Sequence, residues 1–201
     1  MIEVDREGDC LTVTLNRPDK ANSLTAAMLN DMVDALAGAK DAKVVILTGA
    51  GKVFSAGADL DEARAGLATD PVWEQLSSRI ATLPALTIAA LNGTVAGGAF
   101  GMVLACDLRI AVADAKFFYP VMRLGFLPQP SDPGRLSAIA GPSTAKRILM
   151  AGEKITAAEA LRVGLIDKIT DATDLVPTAR LWAQDASKAT TDHIANIRNM
   201  I

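Results

Sequence analysis

Between Ile80 and Cys106 the chain carries no charged residue, and that run limits the fold more than any other feature of the sequence. It is longer than the ~20 residues a helix needs to cross a bilayer, so it belongs in a membrane or deep in a protein core. Its punctuation decides between the two. Pro84, Asn92-Gly93 and Gly97-Gly98 interrupt it at intervals too short for one helix, and lipid leaves the backbone groups freed at such breaks without partners. The spacing predicts a buried strand over Leu86 to Leu91, a tight turn, and a buried helix from about Gly98 to Ala105, with Leu108 to Val112 as a second buried strand beyond it. A membrane location is not expected.

The flanking sequence supplies the layers that cover such a core. Leu11, Val13 and Leu15 alternate with threonines as in a half-buried strand, and Asn16-Arg17-Pro18-Asp19 then turns the chain. Thr25 predicts the N-cap of a helix with Met28, Leu29, Met32, Val33 and Leu36 on one face, ended by Gly38. Val44 to Leu47 is apolar at every position, the pattern of a strand covered on both sides. Asp70-Pro71 predicts the start of a helix running toward Leu83, and Pro142 opens another. Thr156 with Glu159 predicts a capping box on a helical turn that Gly164 ends. From Asp174 the tail, which holds His193, reads as helical to the end. Strands and helices alternate without a linker or a fixed-period repeat. With 201 residues, 50% of them hydrophobic, the expectation is one α/β domain over 1–201, its core reaching about 170 and a helical tail following.

Several kinds of chemistry are excluded by what is missing. Charges are interspersed to a net of -3, so no surface for nucleic acid is announced. Cys10 and Cys106 make neither a disulfide framework nor a metal-ligand spacing, and the N-terminus lacks the character of a signal peptide, which predicts a cytoplasmic protein. With a single histidine, His193, and no Gly-x-Ser-x-Gly, a Ser-His-Asp hydrolase is disfavoured. A transition-metal site is disfavoured for the same shortage of ligands. Gly49-Ala50-Gly51-Lys52 lacks the earlier glycine of a P-loop and has Val53 where a hydroxyl would meet magnesium. Gly97-Gly98-Ala99-Phe100-Gly101 lacks the dinucleotide-binding spacing. No permanently bound cofactor and no metal is expected.

The positive signal lies in two glycine-bearing turns. Phe54-Ser55-Ala56-Gly57-Ala58-Asp59-Leu60 follows the first buried strand, and Asn92-Gly93-Thr94-Val95-Ala96-Gly97-Gly98 leads into the helix that ends Ala105-Cys106-Asp107. Add Asn16-Arg17-Pro18, Gly125 with Pro128, and the run from Thr156-Ala157-Ala158-Glu159-Ala160 to Gly164-Leu165-Ile166. In order and over nearly the whole chain, these segments resemble the crotonase (enoyl-CoA hydratase/isomerase) superfamily. The resemblance implies an α/β, crotonase-like (ClpP/crotonase) spiral of strand-strand-helix units with the family's C-terminal helical region truncated. It implies that the backbone N–H groups of Ala58 and Gly98 form an oxyanion hole for a thioester carbonyl. Glycines admit a close backbone approach, an N–H at a helix head gains from the helix dipole, and such donors favour an enolate over the neutral carbonyl. It implies further that backbone groups of Ala56, Ala58 and Leu60 hold the adenine of coenzyme A, with Lys20 or Arg17 meeting its phosphates. The implied partner is an acyl-CoA thioester, so coenzyme A enters with the substrate. Trimers or hexamers are the family's assemblies, and the early end at Ile201 leaves that point open.

Two positions depart from the pattern. The resemblance puts one catalytic glutamate a helical turn after Gly98, where this chain has Gly101, and the other directly after the proline of Phe117-Phe118-Tyr119-Pro120, where it has Val121. Neither can move a proton, so ordinary hydration is not expected, and because the resemblance implies that the family's isomerases use the second glutamate alone, ordinary isomerisation through that position is not expected either. Asp132 and Tyr119 are the nearby candidates for acid or base. Asp132 precedes Pro133 ahead of an apolar helix, so an N-cap is its expected role and catalysis the alternative. Tyr119 is expected in the core with its hydroxyl satisfied. The function expected is a lyase or isomerase that stabilises an enolate of an acyl-CoA; the alternative is a non-catalytic acyl-CoA-binding or regulatory protein.

Overall fold

Three strand-strand-helix units wind the chain into a spiral, and each is built on one long buried strand. The computed structural model describes residues 1–201. It opens with β1 (Ile2–Glu7) and β2 (Cys10–Leu15), a hairpin, followed by α1 (Ala26–Ala37). The first unit contains β3 (Val44–Gly49), β4 (Val53–Ser55), α2 (Leu60–Arg64) and α3 (Val72–Ala81). The second contains β5 (Leu86–Leu91), β6 (Thr94–Ala96) and α4 (Ala99–Ala105). The third contains β7 (Leu108–Val112), β8 (Lys116–Phe118), α5 (Val121–Leu124) and α6 (Asp132–Leu149). The chain finishes with β9 (Ile155–Thr156), α7 (Ala157–Arg162), β10 (Lys168–Thr170), α8 (Leu175–Trp182), α9 (Gln184–Lys188) and α10 (Thr191–Arg198).

The long strand of each unit joins a six-stranded sheet in the order β1-β2-β3-β5-β7-β10, parallel throughout except for the β1–β2 hairpin. The short strand of each unit joins a second sheet in the order β4-β6-β8-β9, where only β8 and β9 run antiparallel. The units differ in length because different helices close them, and so the repeat leaves no fixed period in the sequence. β3 and β5 lie centrally with helices around them, and Val44 to Leu47 and Ile88 to Leu91 are fully buried, as parallel strands covered on both faces require. No helix is long and apolar enough to cross a membrane.

Local signals set most element boundaries. Thr25 caps α1, its hydroxyl accepting from the Met28 N–H at 3.2 Å, and Gly38 ends it. The Asp70 carboxylate accepts from the Val72 N–H at 2.8 Å and so starts α3. Pro142 does open a helical segment, since Gly141 at φ 83° breaks α6 just before it. Two expectations are corrected. Thr12 is buried along with Leu11 and Val13, while Thr14 on the same face is half-buried. Only half of the capping box at Thr156 forms: its hydroxyl accepts from the Glu159 N–H, but Arg147 and Arg162 take the Glu159 carboxylate at 2.9 and 2.7 Å. The helical tail is divided into three segments, with Ala189 extended between α9 and α10.

One buried side chain ties the start of the chain to the second sheet. Ala21 and Asn22 turn through the left-handed region at φ 50° and 51°, which asparagine tolerates better than most residues. The fully buried Asn22 carboxamide accepts from the Arg17 N–H at 2.8 Å and donates to the carbonyls of Ala50 and Val53 at 2.9 and 2.7 Å. It thereby fixes the turn between β3 and β4. Asn22→Ala leaves the Ala50 carbonyl and the Arg17 N–H without their partner and removes one of the two donors to the Val53 carbonyl, in a strained backbone, and it is expected to lower unfolding stability by about 1–3 kcal/mol in urea denaturation.

Candidate functional site

Because β4 and β6 are parallel neighbours, the turns that follow them lie side by side. They are close enough that glycine is required. Gly57 sits at φ +91°, and a Cβ there would be 2.9 Å from the Ala96 carbonyl oxygen. Gly97 sits at φ +57°, where a Cβ would be 3.7 Å from the Gly57 Cα. The Ser55 hydroxyl holds the first turn, donating to the Asn22 carbonyl at 2.8 Å and accepting from the Gly57 N–H at 3.1 Å. Leu24 grips its far side: its N–H donates to the Gly57 carbonyl and its carbonyl accepts from the Asp59 N–H, both at 2.8 Å.

Between these bonds the Ala58 N–H has no acceptor in the protein. The same is true of Gly98, although Gly97 before it donates to the Phe118 carbonyl at 3.1 Å and Gly101 after it donates to the Gly98 carbonyl at 3.1 Å. Both residues are half-buried, in the two adjoining turns. Gly98 also needs to be glycine, since a Cβ would approach the Trp73 ring to 3.1 Å. That ring is fixed by its own indole N–H, which donates to the Leu67 carbonyl at 2.7 Å. α4 is only seven residues long, so directed N–H groups matter here more than a helix dipole.

One helical turn beyond Gly98, Gly101 faces the start of α6. A Cβ on Gly101 would lie 3.0 Å from an Asp132 carboxylate oxygen, so the space left by the missing side chain is filled by Asp132. Asp132 is fully buried, and the Tyr119 hydroxyl is the side-chain donor beside its carboxylate. The expected N-cap role is therefore overturned. Ser131 holds the cap position and Asp132 is the first residue of the helix, from which its carboxylate turns inward to Gly101. The cap's N–H is instead satisfied by Glu74 of α3, which accepts from it at 3.1 Å and also accepts from the Ser131 hydroxyl. Burial pushes the Asp132 pKa up to about 7, with the Tyr119 hydroxyl and Arg135 opposing and Glu74 adding to the rise.

Tyr119 is buried as expected. It stacks on Phe100 at 5.6 Å, and its hydroxyl accepts from the Gln129 N–H at 3.4 Å and borders Asp132. Burial raises its pKa, so it stays a neutral O–H donor. Val121 is buried and offers no titratable group. Along the rim, Ala56 and Leu60 are exposed. Arg17 is occupied by Asp59 at 2.8 Å and by Ser23, whereas Lys20 is exposed and makes no ion pair. No group of three His, Cys, Asp or Glu side chains converges as a metal site would. The structure adds Trp73, Glu74 and Gln129 to the residues around this site, none of which a short motif marks.

Residues 5–201 match the family model described as enoyl-CoA hydratase/isomerase. The Bacillus subtilis protein YngF is 39% identical over 177 residues, covering 83% of this chain and 68% of the relative. A short-chain-enoyl-CoA hydratase of Clostridium acetobutylicum is 34% identical over 186 residues, covering 88% of this chain and 71% of its own length. The solved structure of an enoyl-CoA hydratase from Bacillus anthracis superposes with a TM-score of 0.91 at 31% identity, covering 98% of this chain and 81% of that one.

The buried carboxylate has a stability signature. Below its ordinary pKa Asp132 is protonated folded or unfolded; from there up to about 7 only the folded state keeps the proton, so stability falls as pH rises and levels off above that value. Asp132→Asn removes the penalty. The variant's gain over wild type is expected to be larger at pH 8 than at pH 4, by up to about 4 kcal/mol in urea unfolding. A difference that does not change with pH is the opposing result.

Proposed function

The chain belongs to the enoyl-CoA hydratase/isomerase family and has the crotonase fold, and from that premise we propose that it binds an acyl-CoA thioester, stabilises its enolate at the N–H groups of Ala58 and Gly98, and moves the proton with Asp132. The observation that carries this is the buried Asp132 carboxylate lying against Gly101. A carboxylate brought from another helix occupies the neighbourhood where the resemblance puts a glutamate.

The chemistry follows from the groups present. The thioester oxygen would accept from the two free amides, which bind it more strongly as negative charge develops on loss of an α-proton. Asp132, dry and with a pKa near 7, is matched to take that proton at neutral pH and give it back. Hydration needs a second group to polarise water, and Val121 cannot do so. A shift of the double bond needs only one carboxylate, which removes a proton from one carbon and returns it to another. Isomerisation is thus the favoured reaction class. Tyr119, held neutral, can donate to Asp132 once that residue is ionised. On the rim, the backbone of Ala56, Ala58 and Leu60 would border the adenine, and Lys20, free of ion pairs, is a better phosphate partner than Arg17, which Asp59 holds.

The second reading, acyl-CoA binding without turnover, is favoured by the complete burial of Asp132. A panel of α,β- and β,γ-unsaturated acyl-CoA esters separates the two. Turnover of at least one ester is expected, with kcat/KM rising with pH through about 7 as Asp132 loses its proton. Asp132→Asn is expected to lower kcat by ~10²–10⁴-fold and to leave calorimetric CoA binding in place. Tight binding with no turnover supports the second reading, and no CoA binding removes both.

A further inference from the structure

We propose that Glu74 is a positioning residue for the proton transfer assigned to Asp132: it seats the first turn of α6 so that the Asp132 carboxylate meets Gly101, and it sets a negative charge behind that carboxylate. This rests on the role given to Asp132 above and adds a separate claim about α3.

The seating is direct. Ser131, immediately before Asp132, donates its N–H to Glu74 Oε2 at 3.1 Å and its hydroxyl to Glu74 Oε1, which also accepts from the Ser78 hydroxyl at 3.2 Å. A helix start exposes N–H groups that need acceptors. Here the acceptor comes from a different helix, so the position of α6 relative to α3 is set at the residue that precedes Asp132. The adjacent α3 residue, Trp73, lies against Gly98. Consecutive residues of one helix therefore touch the two halves of the candidate site, and a shift of α3 would move both together.

The electrostatic part follows from the same placement. The groups that face Asp132 are Tyr119 from the segment after β8, Arg135 from α6 itself and Glu74 from α3; α4 contributes only Gly101. Burial works against Glu74 ionising, but hydrogen bonds from Ser131 and Ser78 and the charge of Arg135 hold its pKa below the usual carboxylate range. It is an anion at neutral pH, and a like charge makes Asp132 harder to ionise.

Three variants separate seating from charge. Glu74→Gln keeps an acceptor for Ser131 and removes the charge, Glu74→Ala removes both, and Ser131→Ala removes the hydroxyl donor alone. The ionisation of Asp132 is followed by carboxyl carbon NMR, with Asp132→Asn supplying the assignment, beside the pH profile of the best ester from the panel. In Glu74→Gln the midpoint of the Asp132 titration and the acid limb of kcat/KM are both expected to move to lower pH. Glu74→Ala is expected to lose ~10-fold or more in kcat through misplacement of Asp132, with calorimetric CoA affinity retained, and Ser131→Ala a smaller part of the same loss. An unmoved midpoint in Glu74→Gln, with turnover still lost in Asp132→Asn, overturns the role of Glu74 and leaves that of Asp132. Full turnover in Asp132→Asn overturns both.

Discussion

The candidate site depends on how closely the turns after β4 and β6 approach each other. A parallel sheet brings the ends of neighbouring strands to one edge, but two ordinary turns there would keep their backbones apart. Gly57, at positive φ and 2.9 Å from a carbonyl at its missing Cβ, lets one turn lie on the other. The Ala58 and Gly98 N–H groups are thereby brought onto neighbouring turns. Neither is used inside the protein, which is unusual because most buried or half-buried amides find an acceptor. The surrounding bonds from Ser55, Leu24 and Asn22 hold this otherwise unfavourable arrangement in place.

The architecture was legible in the sequence where the controlling forces are local or periodic. The uncharged run from Ile80 to Cys106, divided by Pro84 and by Asn92-Gly93, became β5 and α4 where its punctuation put them, while the short strand β6 between them was not among the expected elements. Thr25 and Asp70 capped the helices they precede, since a cap needs only its own next turn. Both glycine turns were visible as motifs. That they adjoin depended on strand pairing.

What the sequence concealed was long-range. Asp132 before Pro133 has the local pattern of a cap, and nothing near it shows that Gly101, thirty-one residues earlier, leaves a space the size of a carboxylate. The cap pattern fails because Glu74 already serves the helix start, and Glu74 lies in a helix with no distinguishing motif. The half-formed capping box at Thr156 fails in the same way, as Arg147 from another element competes for Glu159. Side chains with several available partners are poorly predicted from their neighbours in sequence, because the strongest partner is set by the fold.

Gly101 and Asp132 have to be considered as a pair. A side chain at 101 would collide with the carboxylate, and without Asp132 the glycine would leave a hole in a close-packed interior. Burying a carboxylate without a cation against it costs stability, and structural needs alone would be met better by an apolar residue of similar size. Nothing in the packing of α4 on α6 calls for a charge there. A group that lowers stability, has its proton affinity raised into the neutral range and lies against Gly101, one helical turn after Gly98, is a candidate for chemistry, as proposed above. Val121 constrains which chemistry. With an apolar residue at the second position, the proposed site offers water no second carboxylate, which fits the proposed reaction, in which Asp132 would take a proton from the substrate and return it at the same carbon or along the conjugated chain.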